Sequence, residues 1–369
     1  MIDKVLPWFD RASGSKRTFE LLRMMKSLGF RVVFVAIEGR GQDIYVRALR
    51  QEGIETLLTD GPAIGMPNAG SIPWAELCER EQFDIVWLTF WDVAYYYLPR
   101  LRDLLPKAIM VVDSVDLEFV RKELESAVVG QTTPQEVIHR RVLELSVYQA
   151  ADVVIVVSKS DERRLRMEGI DKPIFIISNI HEVKELEEFY PYSEEIIFVG
   201  NFNHLPNRDG ITWFVNSIFV PVVSGAWAGG LHVVGNAPTP DILALDGNER
   251  VYVYGWVEDI NLLYRSMFAA LAPLRYGAGV KGKITEALSV GVPVIATNEA
   301  LVGMEELVEA DAVLVADVLR PGSWLEALWR LNDRAEWSSI RRRAWEIGAE
   351  LFSHQRALGI LRQILAFSR

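Results

Sequence analysis

The residues with the clearest chemistry lie between 277 and 286, in the string Gly-Ala-Gly-Val-Lys-Gly-Lys-Ile-Thr-Glu. Gly277, Gly279 and Gly282 let main-chain N–H groups come close to an anion. Lys281 and Lys283 add full positive charges. A helix is expected to start near Thr285, and the positive end of its dipole favours negative charge. Together these features describe a cradle for a phosphate or diphosphate. The plainer alternative is a flexible loop with solvated lysines. The same string fits two further phosphate patterns. Gly277, Gly279 and Gly282 satisfy the G-x-G-x-x-G dinucleotide spacing, and Glu299 follows the next apolar run. That fingerprint normally opens its domain, however, and here three strands of the unit come first. A P-loop also nearly fits, but Ile284 stands where a magnesium-binding hydroxyl is required.

Other candidates follow apolar runs nearer the N-terminus. Gly14 and Ser15 precede a helical pattern, with Lys16 and Arg17 either as anion partners or as solvated caps. Asp113 and Asp116 follow a strand-like run, a common place for acid–base groups. Helix capping by Ser114 or Asp116 is the alternative there. The five histidines are scattered with no metal-ligand spacing, so no bound metal is expected. Cys78 is the single cysteine, which excludes an internal disulfide and a Cys-based metal site. Its helical surroundings read as packing, and its isolation suits a reducing compartment.

These residues need elements to position them. Apolar runs at 31–37, 54–59, 83–90, 108–114, 152–158 and 173–178 are continuous and not alternating. Strands covered on both faces by helices read this way. Helices are expected over 19–29, with Gly29 as the stop, and over 134–150. An acidic stretch at 181–195 containing Pro191 reads as a linker, after which runs at 195–201, 231–236, 251–256, 269–274, 292–297 and 312–317 restart the alternation. The pattern predicts an α/β protein of two Rossmann-like domains with parallel sheets facing across a cleft. The expected division is 1–185, 186–350, and a C-terminal helix in 351–369 that packs back on the first domain. Ligands in such sheets bind beyond the carboxyl ends of the strands. A net charge of -11 argues against a nonspecific nucleic-acid binder. No signal-like start and no apolar run of ~20 residues is present, so a cytoplasmic protein is expected, with contact at the inner face of a membrane left open.

The segment 269–297 resembles the donor-binding region of retaining GT-B glycosyltransferases of the family-4 type, also called glycosyl transferases group 1. The shared pattern is a strand ending in Pro273, the glycine loop, Glu286 in a helix, and GVPVIAT. Further blocks agree in order: the 10–35 segment, VVIVVSKSDERRL with FIISNI, EIIFVGN, LHVVGN and VYVYGWVEDI. The resemblance implies a GT-B fold and transfer of a sugar, with retention, from a nucleotide-diphosphate donor. The acceptor would be a glycan or lipid-linked molecule in polysaccharide or cell-surface glycan synthesis. The donor is a co-substrate, and no cofactor is implied.

The resemblance also assigns residues. Glu286 takes the place of the ribose-binding glutamate. Ala278 stands where the family usually has a second glutamate near the transferred sugar, so main-chain groups of Ala278 and Gly279 are left to meet it, with Val280 beside them in the donor-binding loop. After EIIFVG the family often carries Arg and Lys; here Asn201, His204 and Asn207 follow, and the positive charge is expected to come from Lys281 and Lys283. Main-chain groups near Trp256 and Val257 would meet the base. Gly14 and Ser15 would lie near the diphosphate and acceptor, with Asp116, and beside it Asp113, as acceptor-side polar residues. Trp91 and Asp92 lie at another strand end, where aromatics are candidates for stacking on a sugar acceptor or for plain packing. Lys281, Lys283 and the helix terminus at Thr285 would stabilise the leaving diphosphate. The Ala278 departure keeps open a sugar-nucleotide-binding assembly protein without catalysis, and the glycine spacing keeps open an NAD(P)-dependent enzyme.

Overall fold

The computed structural model describes every residue except 39–42, 59–73, 131–132, 183–184, 187–190, 192–193 and 367–369. The end of the run at 54–59 and much of the acidic 181–195 segment lie outside the described residues. The chain forms two compact units: Met1–Ile180 with Gln355–Arg369, and His181–His354.

The first unit holds seven strands: β1 (Ile2–Val5), β2 (Val33–Glu38), β3 (Glu55–Leu58), β4 (Ile85–Thr89), β5 (Ile109–Asp113), β6 (Val153–Val156) and β7 (Ile174–Ile176). They lie in the order β3-β2-β1-β4-β5-β6-β7, and every pair is parallel. Helices cover both faces, which is why these strands read as unbroken apolar runs. The interior strand β1 is the exception, because Asp3 and Lys4 interrupt it. Asp3 is nevertheless buried, and the Thr18 hydroxyl donates to it at 3.4 Å from the helix Ser13–Ser27. Gly29, at φ +87°, lets the chain turn out of that helix. The helix Pro134–Ala150 begins with a capping box between Thr133 and Glu136. The last helix, His354–Ala366, puts Ala357, Leu361 and Ile364 into one core with Leu6, Leu21 and Ile177.

The second unit repeats the plan with six strands: β8 (Ile196–Val199), β9 (Leu231–Val234), β10 (Val251–Val253), β11 (Ala269–Ala272), β12 (Val294–Ala296) and β13 (Leu314–Val315). Their order is β10-β9-β8-β11-β12-β13, again all parallel. The core is closed by large rings, including Phe214, Trp324 and Trp337, whose indole N–H donates to the Phe268 carbonyl at 2.9 Å. In both sheets the winding reverses once, between β1 and β4 and between β8 and β11. The crevice beyond the carboxyl ends at such a reversal is where a sheet of this kind holds ligands.

Candidate functional site

In the second unit the loops after β8 and β11 meet at the reversal point. Two contacts fix them. Gly210, in the helix Leu205–Phe214, lies so close to the Pro273 carbonyl that a Cβ there would stand 2.5 Å from the oxygen. Next to it, the Arg275 guanidinium grips Asp209, with Nε 2.8 Å from Oδ2. The helix after β8 is thereby pinned to the loop after β11. The rim continues through Gly200 and Gly235: a Cβ on Gly235 would stand 1.7 Å from the Gly200 carbonyl oxygen. Gly235 N–H in turn donates to Gly255 O at 3.2 Å, so the turn holding Trp256 and Val257 lies on the same rim.

The glycine loop has an unforeseen organisation. Lys281 is buried, and its ammonium donates to three carbonyls of its own loop, Gly279 at 2.6 Å, Ala278 at 3.2 Å and Gly277 at 3.5 Å. Gly277 at φ +148° and Gly279 at φ +67° supply the backbone that this wrapping requires. In a trans peptide the C=O of one residue and the N–H of the next point in opposite directions. With three carbonyls drawn onto one ammonium, the amides of Ala278, Gly279 and Val280 face the other way. Among the described residues those amides meet no acceptor. Lys281, expected to place its charge on a leaving diphosphate, thus has that charge engaged by carbonyls of its own loop in this structure.

Lys281 is the N-cap of the helix Gly282–Ser289, so the helix begins at Gly282 and not near Thr285. One turn in, Lys283 and Glu286 stand three residues apart on one face. Lys283 is half-buried, bonds Asn207 Oδ1, and lies 5.1 Å from the Phe198 ring centre. Burial, and then the neighbouring Lys281 charge, lower its pKa to about 7, with Glu286 acting in the opposite direction. Asn207 in turn donates to the Asn201 carbonyl at 2.9 Å. Lys283, Asn207 and Asn201 therefore link the two loops at the reversal point. His204 is exposed at the start of the helix Leu205–Phe214. Trp256 is 46% exposed and so is not a core residue, whereas Val257 packs against the unit's core.

In the first unit Gly14 and Ser15 lie inside the first turn of the helix Ser13–Ser27, not ahead of it. Arg17 is neither an anion partner nor a solvated cap. It is 1% exposed and pairs with the equally buried Asp113 at 2.8 Å, while its Nε donates to the Ile177 carbonyl at 3.0 Å. The Trp87 indole donates to the same Asp113 oxygen at 3.2 Å. Asp113, expected as an acid–base group, is the last residue of β5, and its carboxylate is buried and ion-paired in this structure. Asp116 is half-buried and pairs with Arg121 at 2.9 Å. Neither Ser114 nor Asp116 caps the next helix, Glu118–Val129. Its first amides instead donate to the buried Glu144 carboxylate from the helix Pro134–Ala150, at 3.0 and 2.8 Å. Trp91 is buried, its ring covered by Arg140 and its N–H on Glu118, and Asp92 pairs with Lys4 at 2.7 Å. Two non-glycine residues with positive φ, Phe90 at +72° and Val115 at +60°, follow β4 and β5. Strained backbone of this kind concentrates at functional rims. Cys78 is buried, as its pattern predicts. Sequence reasoning missed Glu144 and Asp3, which reach Glu118, Phe119 and Thr18 on other elements.

No described helix is long and apolar enough to cross a membrane, and the described residues include no group of three His, Cys, Asp or Glu side chains placed to hold a metal. Two family models match the sequence: Glycosyltransferase Family 4 over 14–184 and Glycosyl transferases group 1 over 193–333. Among curated proteins no match is found. Among solved structures, sucrose-phosphate synthase from Thermosynechococcus elongatus is similar in fold at 17% identity, covering 99% of this chain and 98% of that one, with a TM-score of 0.75. Anabaena HepE, solved in complex with UDP-glucose, matches at 14% identity, 96% of each chain and a TM-score of 0.70. A glycosyltransferase from Rickettsia africae matches at 15% identity, 100% of this chain, 97% of that one and a TM-score of 0.67.

Proposed function

We propose, because this chain belongs to the family-4-type, group 1 glycosyltransferases of GT-B fold, that the loop 277–281 and Glu286 bind a nucleoside-diphosphate sugar whose sugar is transferred with retention. The observation that carries the reading is the row of three loop carbonyls held by Lys281, which turns the amides of Ala278, Gly279 and Val280 away from that ammonium, next to Lys283 and Glu286 on one helix. The amides of Ala278, Gly279 and Val280 take the diphosphate, aided by the helix terminus at Gly282 and by Lys283. Glu286, one turn deeper, accepts two hydroxyls of the ribose. Main-chain groups at Trp256 and Val257 meet the base, and Asn201 and His204 line the approach. HepE, which shares the fold, has been solved with UDP and with UDP-glucose, which favours a uridine donor here.

As the bond from the sugar to the β-phosphate oxygen breaks, negative charge grows on that oxygen. Amides already aimed at it lower the barrier, since they need no reorganisation at the moment of reaction. With Ala278 in place of a glutamate, backbone groups meet the sugar hydroxyls. The acceptor, a glycan or lipid-linked molecule, is assigned to the first unit, with Gly14, Ser15 and Asp116 as its polar contacts. A cytoplasmic site of action, at or near the inner face of a membrane, fits assembly of a cell-surface polysaccharide.

The test is a thermal-shift panel of UDP, GDP, dTDP and NAD, followed by turnover with the sugar nucleotide of the base that binds. Ligand at 100 times its Kd adds about 2.7 kcal/mol of stability. A shift with one nucleoside diphosphate that is reduced by Glu286→Gln supports the reading and names the base. A shift with NAD alone, or with none, overturns it.

A further inference from the structure

We propose that His181 is a positioning residue for the sugar-nucleotide site, acting through Thr285; this rests on the reading of the glycine loop and Glu286 given above. His181 is the first residue of the second unit, only 4% exposed, and its Nε2 lies 2.7 Å from Thr285 Oγ1 across 104 residues of sequence. Thr285 is itself buried, and its hydroxyl donates to the Gly282 carbonyl at 3.0 Å. A hydroxyl has one hydrogen to give. Both bonds are satisfied together when that hydrogen goes to Gly282 and Thr285 accepts from a hydrogen on His181 Nε2.

The bond ends in the turn that presents the ligand groups. Gly282 opens the helix, and Thr285 lies between Lys283 and Glu286. Its other end is anchored in the backbone. His181 N–H donates to the Phe352 carbonyl at 2.8 Å, its own carbonyl is met by His354 Nδ1 at 3.2 Å, and it bridges Ser353 in parallel. A chain of hydrogen bonds therefore runs from 352–354, where the polypeptide leaves the second unit, through His181, where it enters, to the first turn of the donor helix. Packing alone would be served by an apolar side chain. The imidazole adds a fixed direction and depth for the turn carrying Lys283 and Glu286. Coupling of this kind works both ways, so an ordered donor helix also orders the crossing segments.

The experiment uses the whole chain with His181→Ala, His181→Gln, Thr285→Val and the Ala/Val double variant. Each is titrated by calorimetry with UDP, GDP and dTDP, melted without ligand, and assayed for KM and kcat with the matching sugar nucleotide. Loss of one buried hydrogen bond at this turn should weaken the nucleotide about tenfold and raise the donor KM by a similar factor. Nitrogen in the Gln amide reaches the Nε2 position, so His181→Gln should stay within about threefold of wild type. The double variant should bind no worse than either single variant, because both break one bond. Wild-type Kd values in the single variants, with only the melting temperature lowered, would reduce His181 to a packing residue and overturn the inference. Additive losses in the double variant would overturn it as well. Should His181→Ala fail to fold, the near-isosteric Thr285→Val carries the same comparison. A wild-type protein that binds none of the three nucleotides would overturn the donor-site reading itself, and the inference with it.

Discussion

Lys281 donates to the carbonyls of Gly277, Ala278 and Gly279, so Lys281→Met keeps the aliphatic stem and removes what holds the loop in shape. Affinity for the nucleoside diphosphate should fall at least about tenfold, although the ammonium is engaged within the loop. Calorimetry on the folded variant checks this, and wild-type affinity would sink the account of the loop held by Lys281. Lys283 makes a different prediction. Its pKa is lowered to about 7, burial being the main cause, and a bound diphosphate raises it again. Below pH 7 the ammonium is already present and affinity does not depend on its titration. Above pH 7 binding must take up a proton, so affinity should fall by up to about tenfold per pH unit. Lys283→Arg, which keeps its charge, should flatten titrations between pH 7 and 9. In the first unit, Arg17→Met would leave Asp113 charged, buried and unpaired, at a cost of about 3–5 kcal/mol in urea unfolding. Adding Asp113→Asn should recover much of that loss. The place of Glu286 in a helix was legible in the sequence, because a glycine loop precedes it and a Gly-x-Pro run follows. Arg17 was not, because Gly-Ser-Lys-Arg reads as a solvated first turn, and only tertiary packing lays the guanidinium against β5.

Most strands were legible because continuous apolar runs mark strands buried on both faces. β1 was hidden because a carboxylate occupies its second position. Burial pushes the Asp3 pKa up to about 7, opposed by hydrogen bonds from the Lys4 and Val5 amides and assisted by the Asp113 charge. A carboxyl whose folded pKa is raised contributes stability that is full below its unfolded value near 3.8 and is lost as pH rises through about 7. Wild type should therefore lose on the order of 2–4 kcal/mol relative to Asp3→Asn between pH 4 and pH 8. Parallel urea titrations of the two proteins would show no such divergence if Asp3 stayed ionised throughout. The start of the helix Glu118–Val129 was illegible for a related reason. Its cap, Glu144, comes from another helix and not from the local Ser or Asp that sequence rules look for.

At the scale of the molecule, the sequence carries the alternation of strands and helices twice, and the two reversal points follow from strand order. Alternation by itself does not say how the units share the chain, although a return of 351–369 to the first domain is among the expectations drawn from the sequence. The helix His354–Ala366 completes the core of the first unit, where Leu361 and Ile364 are fully buried. Leu361→Ala should cost about 2–5 kcal/mol. The loss should appear in unfolding of the first unit and leave nucleotide affinity, which the proposed donor site assigns to the second, unchanged. Calorimetric unfolding with and without bound nucleotide separates the two transitions, and equal weakening of both would refute the assignment.

That last helix also has a consequence for synthesis. A ribosome making this chain completes the β1–β7 region early, then spends roughly 10–35 s on the second unit before the helix emerges, at about 5–20 residues per second. During that interval the apolar surface around Leu21, Leu22 and Ile177 lacks its cover. The nascent first unit is then open to chaperones, while the second unit, drawn from one continuous stretch, can finish folding first.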